Sequence, residues 1–158
     1  MDEAGAKTER VPVYAHCFVC GKQNPMGLAV SFRREGDEVI TDFTPESQHQ
    51  GYPGVCHGGI IYALLDETVG RATYRAGVMT VTGGMQIRYR KPVPIGSPVR
   101  IAGRLVADRG RLLEGEGEAT LEDGTVVAEA RGKFFPLPAE EQERVAGVLD
   151  WEETGDVP

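Results

Sequence analysis

One segment constrains this chain more than any other. From Gly58 to about residue 76, Ile60, Ile61, Leu64, Leu65, Val69 and Ala72 recur at intervals of three and four, the spacing of one helix face. No other long stretch of the 158 residues carries that period. A helix this apolar must be covered, and the remaining sequence offers strands to cover it. Runs at about 28–34 and 39–44 alternate in polarity and are joined at Glu35-Gly36-Asp37-Glu38, a hairpin signal. Four longer strand candidates follow the helix, at about 80–90, 99–108, 111–121 and 126–135. The breaks at Asp108-Arg109-Gly110 and Glu122-Asp123-Gly124 have the chemistry of tight turns. The expected fold is α+β: one long central helix wrapped by a curved antiparallel β-sheet of about six strands, the last four running as a meander. Such a sheet covers one side of the helix and leaves edges, which predicts pairing with a second copy.

The length suits one domain with its own core. Residues 1–15 read as an N-terminal tail, 16–137 as the folded domain, and 138–158 as an acidic C-terminal tail with a short helix at about 139–148. Hydrophobic residues at 41% and charged residues at 26% are those of a globular domain. No run of 18 apolar residues occurs and the first ten residues are polar, so neither a membrane partner nor an export signal is expected, and the cytoplasm is the default location. Cys17, Cys20 and Cys56 cannot all pair, and a chain of this length does not need a disulfide framework. They are expected as reduced thiols.

The net charge of −7 hides a polar distribution. Residues 137–158 carry seven acids against one base, whereas residues 88–111 carry seven bases against one acid. The basic stretch is either a solvated strand face balanced by acids elsewhere or a site for an anionic small molecule. It lacks the aromatic interleaving or reading helix of a nucleic-acid site, so no nucleic-acid partner is expected.

The start of the helix carries the chemistry. Two glycines there cost roughly 1 kcal/mol each relative to alanine, which makes sense where something must approach the backbone closely. The first N–H groups of a helix have no intrahelical partner and sit at the positive end of its dipole. Gly58 and Gly59 therefore present donors to a carbonyl oxygen gaining negative charge, an oxyanion hole. Asp66 lies on the same face about 10 Å further along the axis. A carboxylate on a buried helix needs a partner or a function. That separation is too long for one small reacting centre within a chain, but suits an Asp66 facing the glycines of a second subunit. The residues alone leave a plainer alternative: Asp66-Glu67 as a polar stripe, Gly-Gly as close packing, and His57 as a cap.

The run Gln50-Gly51-Tyr52-Pro53-Gly54-Val55-Cys56-His57-Gly58-Gly59, followed by Asp66-Glu67-Thr68-Val69-Gly70, resembles the signature of hotdog-fold acyl-CoA thioesterases of the PaaI-like group. That family has a QGxPGxxHGG loop and an aspartate nine residues after the histidine, the interval from His57 to Asp66. A strand-turn element from Thr82 through Gln86-Ile87-Arg88-Tyr89-Arg90-Lys91-Pro92 to Gly96 fits as well. So does the opening Cys17-Phe18-Val19-Cys20-Gly21 with Asn24-Pro25-Met26-Gly27-Leu28. The similarity covers about residues 17–136. It implies a hotdog fold and an acyl-CoA thioesterase that needs no cofactor. Asp66 would activate water or attack the thioester directly, and the N–H of Gly58 or Gly59 would polarise its carbonyl. Gln50 is implied as a second polar group, Thr82 as a hydroxyl that orients water, and His57 as a loop-shaping residue or a contact to the thioester oxygen. The family's sites form between subunits, as a homodimer or a dimer of dimers. Arg88, Arg90 and Lys91 offer charge to the phosphates of coenzyme A. Tyr62, Leu65, Val69, Met85 and Tyr52 are expected to line the acyl pocket.

Three other readings compete. Cys17-x-x-Cys20 is half of a zinc site, but a structural site needs four ligands and only His16, His49, Cys56 and His57 remain, so no metal is expected. A hotdog-fold hydratase or dehydratase resembles the chain at His49 to Gly54, yet the position for its acid, fourteen residues after the histidine, is Ala63. A non-catalytic acyl-CoA binder would use nearly the same groups.

Overall fold

The computed structural model describes residues 9–74 and 78–154. In chain order the elements are β1 (Glu9–Val13), β2 (Arg33–Glu35), β3 (Glu38–Phe43), a 3-10 turn (Ser47–His49), α1 (Gly58–Thr73), β4 (Thr80–Tyr89), β5 (Val99–Asp108), β6 (Leu113–Leu121), β7 (Val126–Pro136), α2 (Ala139–Ala146) and β8 (Asp150–Thr154). The long helix and the six-stranded antiparallel sheet stand where the sequence periods put them, in a hotdog arrangement.

The expected meander needs correction. The sheet order is β2-β3-β5-β6-β7-β4, so β5 pairs with β3, and β4 lies at the far edge beside β7. The reason is the connection 92–96. Two prolines bar a tight hairpin there, and the segment instead pairs with the loop before α1: Cys56 N–H donates to Val93 O at 2.8 Å and Ile95 N–H to Gly54 O at 2.9 Å. The chain is thereby carried across the sheet before β5 begins.

The strand expected at 28–34 is reduced to Arg33–Glu35. Ala29 has a φ of 51°, which breaks an extended run. The Leu28 and Val30 N–H groups donate to Phe18 O and Val19 O, so this backbone is satisfied by the Cys17–Cys20 loop rather than by a ladder. Residues 9–13, expected within a tail, form a second, two-stranded sheet with residues 150–154.

Helix α1 buries Ile61, Leu64, Leu65, Thr68, Val69, Ala72 and Thr73 against the sheet. Three glycines, Gly103, Gly115 and Gly117, let it come close, and a fourth, Gly132, makes room for the Phe134 ring. Gly103 and Gly117 are cross-strand partners, as are Gly115 and Gly132. A Cβ on Gly103 would stand 3.0 Å from the Thr68 backbone, and one on Gly117 would stand 2.7 Å from Val69 Cγ2. The helix therefore lies in a shallow trough of missing side chains. Leu65 and Val69, expected to line a ligand pocket, are wholly buried in this contact. Packing at such a site makes Leu65→Ala cost about 2–5 kcal/mol.

Candidate active site

His57 is the N-cap of α1, and its Nδ1 accepts the Gly59 N–H at 2.8 Å. A Cβ on Gly59 would lie 2.9 Å from that nitrogen. Gly58 is covered by Tyr89, whose hydroxyl donates to Gly58 O at 2.7 Å and whose ring would meet a Cβ there at 3.3 Å. What approaches these glycines within the chain is thus a histidine and a tyrosine of its own. The cap occupies the Gly59 N–H, whereas Gly58, in the first turn, keeps an N–H with no intrahelical acceptor. Because Nδ1 accepts, the neutral His57 ring carries its proton on Nε2. Burial, and next the nearby Tyr62 phenol, push the Tyr89 hydroxyl above its ordinary pKa, so it remains a donor.

Asp66, half-buried, accepts the Thr82 hydroxyl on Oδ1 at 2.7 Å. The local reason is a β-bulge. On β4, Met85 and Ile87 pack against the core while Gln86 and Arg88 are exposed. Strict alternation would send Thr82 outward with Gln86 and Arg88. The register with β7 shifts between Thr82 and Gly84, so Thr82 lies opposite the buried Phe134 instead. The extra residue, Gly83, lies under the Phe135 ring, which would have to move for any side chain: a Cβ would stand 2.1 Å from it. One inserted glycine turns the hydroxyl toward the helix.

The structure brings Asp66 and Thr82 together, and His57, Gly58 and Gly59 together, but keeps the two sets apart. A hollow of about 270 Å³ holds Asp66 and Thr82 with Cys17, Cys20, Tyr74 and Met79. A second, also about 270 Å³, holds Gly58 with Cys56, Tyr89, Arg90 and Lys91, and shares no lining residue with the first. Gln50 braces the preceding loop, its Oε1 accepting the Gly54 N–H at 2.7 Å and its Nε2 donating to Ser47 O at 2.8 Å. Tyr62 is half-buried on α1, and Met85 packs against both parts of the core.

The basic stretch divides. Arg90 and Lys91 stand by Gly58, whereas Arg88 lines a broad hollow of about 770 Å³ on the outer face of the sheet, with Arg104, Glu116 and Arg131. That hollow is larger than the other two, but it lies away from the helix ends and is floored by cross-strand charge. Four of the seven bases pair with carboxylates: Arg90 with Glu129, Arg100 with Glu35, Arg104 with Glu116 and Arg109 with Glu114. The solvated-face reading thus accounts for much of the local charge. Tyr89 was not among the residues expected at the site. Alternation gave the signal, since Tyr89 shares a face with Met85 and Ile87 and points back to the helix start.

A six-stranded antiparallel sheet cradling one long helix, with a histidine-capped Gly-Gly start, defines the hotdog class. Residues 53–128 match the family described as Thioesterase superfamily. Acyl-coenzyme A thioesterase THEM4 of Bos taurus is 29% identical over 129 residues, covering 80% of this chain and 53% of that protein. The chain spans about half the length of the curated relatives it matches. Among solved structures, a thioesterase superfamily protein aligns with a TM-score of 0.72 and 30% identity, covering 77% of this chain and 60% of that one. The smu.793 protein of Streptococcus mutans UA159, solved bound to acetyl CoA, aligns at 0.65 with 27% identity, covering 68% and 88%. Among the described residues, no helix is long and apolar enough to cross a membrane.

Proposed function

We propose that this chain hydrolyses acyl-CoA thioesters to a carboxylic acid and free coenzyme A, at a site completed by two copies. The Thr82–Asp66 hydrogen bond carries the reading: a carboxylate with one oxygen held by a neighbour has the other, Oδ2, free to act. Oδ2 takes a proton from water as the water adds to the thioester carbon, or attacks that carbon itself. The Gly58 N–H, at the positive end of α1, stabilises the oxygen that becomes negative, with the His57 Nε2–H as a second donor. The thiolate of coenzyme A is a good leaving group, so one acid and one oxyanion site suffice. Arg90 and Lys91, beside Gly58, offer charge to the coenzyme's phosphates. Tyr62 and Met85 suit an acyl-lining role by size and position. The acetyl CoA of the Streptococcus mutans relative supports the substrate class.

Two observations support a shared site. Eight residues of helix separate Gly58 from Asp66 by about 12 Å, and the two hollows have no common wall. Strand β4 is a sheet edge, with Val81 exposed, and an exposed edge invites a second copy. The test is complementation. Asp66→Asn and Gly58→Val chains are each expected to be inactive against an acyl-CoA panel. Mixed after reversible dissociation, they recover about a quarter of wild-type activity, because half of the dimers then hold one intact site of two. No recovery would confine the site to one chain. A wild-type protein that binds acyl-CoA without hydrolysing any would be a binder instead.

A further inference from the structure

We propose that Cys17 and Cys20 form a reactive dithiol that exchanges with low-molecular-weight disulfides and closes to an intramolecular disulfide, with Cys17 as the attacking sulfur. The loop is wound for it. Gly21 N–H donates to Cys17 O at 2.9 Å, and Cys20 N–H points at Cys17 Sγ at 3.5 Å. A Cβ on Gly21 would lie 2.4 Å from Cys17 O, so this tight turn requires glycine directly after the second cysteine. The two sulfurs and a Glu67 carboxylate oxygen lie within 4.8 Å of one another.

A cation already lies beside this group. Arg71 donates from Nη2 to Cys20 Sγ at 3.1 Å, lies 3.1 Å from Glu67, donates from Nη1 to Pro12 O at 2.9 Å and stacks 4.2 Å over Phe32. A guanidinium anchored on four sides already bridges Cys20 and Glu67, two of those three groups, and its charge favours a thiolate in the pair. The hydrogen bond from the Cys20 thiol lowers the Cys17 pKa to about 6 against the opposing effect of burial, helped by the Cys20 and Val19 N–H groups. Cys20 is raised in turn, first by its hydrogen bond to Cys17 and then by burial, with Arg71 acting against both. Cys17 is also the more accessible of the two, and both open on the hollow that holds Asp66. Cys56 is the internal contrast. It is buried, and burial alone pushes its thiol up to about 11.

The exchange balances. Cys17 thiolate attacks one sulfur of RSSR, forming a Cys17–SR mixed disulfide and releasing RS⁻. Cys20 gives up its proton and attacks the Cys17 sulfur, releasing the second RS⁻. The protein dithiol is oxidised by two electrons and RSSR is reduced to two thiols.

The experiment treats the full chain with glutathione disulfide and reads intact mass, followed by peptide mapping without reductant. Wild type is expected to lose the mass of two hydrogens, with a Cys17–Cys20 cross-link, Cys56 free, and full reversal by dithiothreitol. Cys20→Ser is expected to stop with one glutathione on Cys17, and Cys17→Ser to react at least tenfold more slowly. Three results would overturn the proposal: a wild-type chain that stays reduced, a Cys17→Ser chain that reacts as fast as wild type, or wild type purified with one tightly held zinc ion that blocks exchange. The wild-type arm decides even if a variant fails to fold, and no arm depends on thioester hydrolysis.

Discussion

The two ends of the Gly58–Asp66 stretch of α1 are built differently. At Gly58 and Gly59 the nearest constraint is local: His57 caps the helix from the adjacent position, with Tyr89 and the 92–96 segment packed from afar. At Asp66 the constraint is tertiary. Its partner, Thr82, sits on an edge strand beyond the end of the helix and faces Asp66 only because Gly83 shifts the register. The glycine end is therefore a backbone site that caps and turns maintain, whereas the acid end is a side-chain site that sheet geometry maintains. Damage at the acid end is expected in rate, and damage at the glycine end in stability as well as rate.

The sharpest challenge to that contrast is Asp66→Asn, which should lower kcat by about 10²–10⁴-fold. Acyl-CoA affinity, measured by calorimetry, should stay close to wild type; a large loss of binding would show that the acid also holds substrate. Thr82→Val removes the hydrogen bond that orients Asp66, so kcat should fall about 10- to 100-fold, a larger effect than its loss in unfolding stability. Gly83→Val should also lower kcat, since its side chain would meet the Phe135 ring and disturb the bulge that faces Thr82 to the helix; a fully active variant would show that the bulge does not set the pair. At the other end, His57→Ala loses a helix cap and should lower unfolding stability by about 1 kcal/mol in a urea titration. Tyr89→Phe should cost about 1 kcal/mol or less, through the lost bond to Gly58 O. If these last two left stability untouched, the glycine end would not be the local structural unit described.

The cysteines extend the contrast to pH. With Cys17 lowered to about 6, its thiolate fraction falls as pH drops through that value, so alkylation by iodoacetamide should slow about tenfold per unit below it and level off above. Cys56, held at about 11, should still be gaining reactivity at the alkaline end of the same series.

Much of this was legible in the residues, for physical reasons that also mark where legibility stops. The period of α1 and the turns at 108–110 and 122–124 are local signals, and they located the helix and four long strands to within a few residues. The pairing of β4 with β7 rather than β5 is decided by two prolines acting with the 54–56 loop, a contact between segments no pattern joins. The family motif implied Asp66 and Thr82 separately but not the hydrogen bond between them, and alternation alone would have sent Thr82 outward. Arg71 reaching Cys20 across 51 positions left no trace in either neighbourhood.

The ladder of β1 with β8 has a kinetic side. Glu9 lies opposite Thr154 and Val13 opposite Asp150, so this small sheet cannot form until nearly the whole chain has been gathered. Contacts of such long span come late, after loop closure over the intervening chain. It is also separate from the six-stranded sheet, so it can open without disturbing that ladder. Its amides should exchange with solvent first, and Pro12 O, to which Arg71 donates, ties that opening to the guanidinium beside Cys20. The last part of the chain to close is thus the part that secures the thiols.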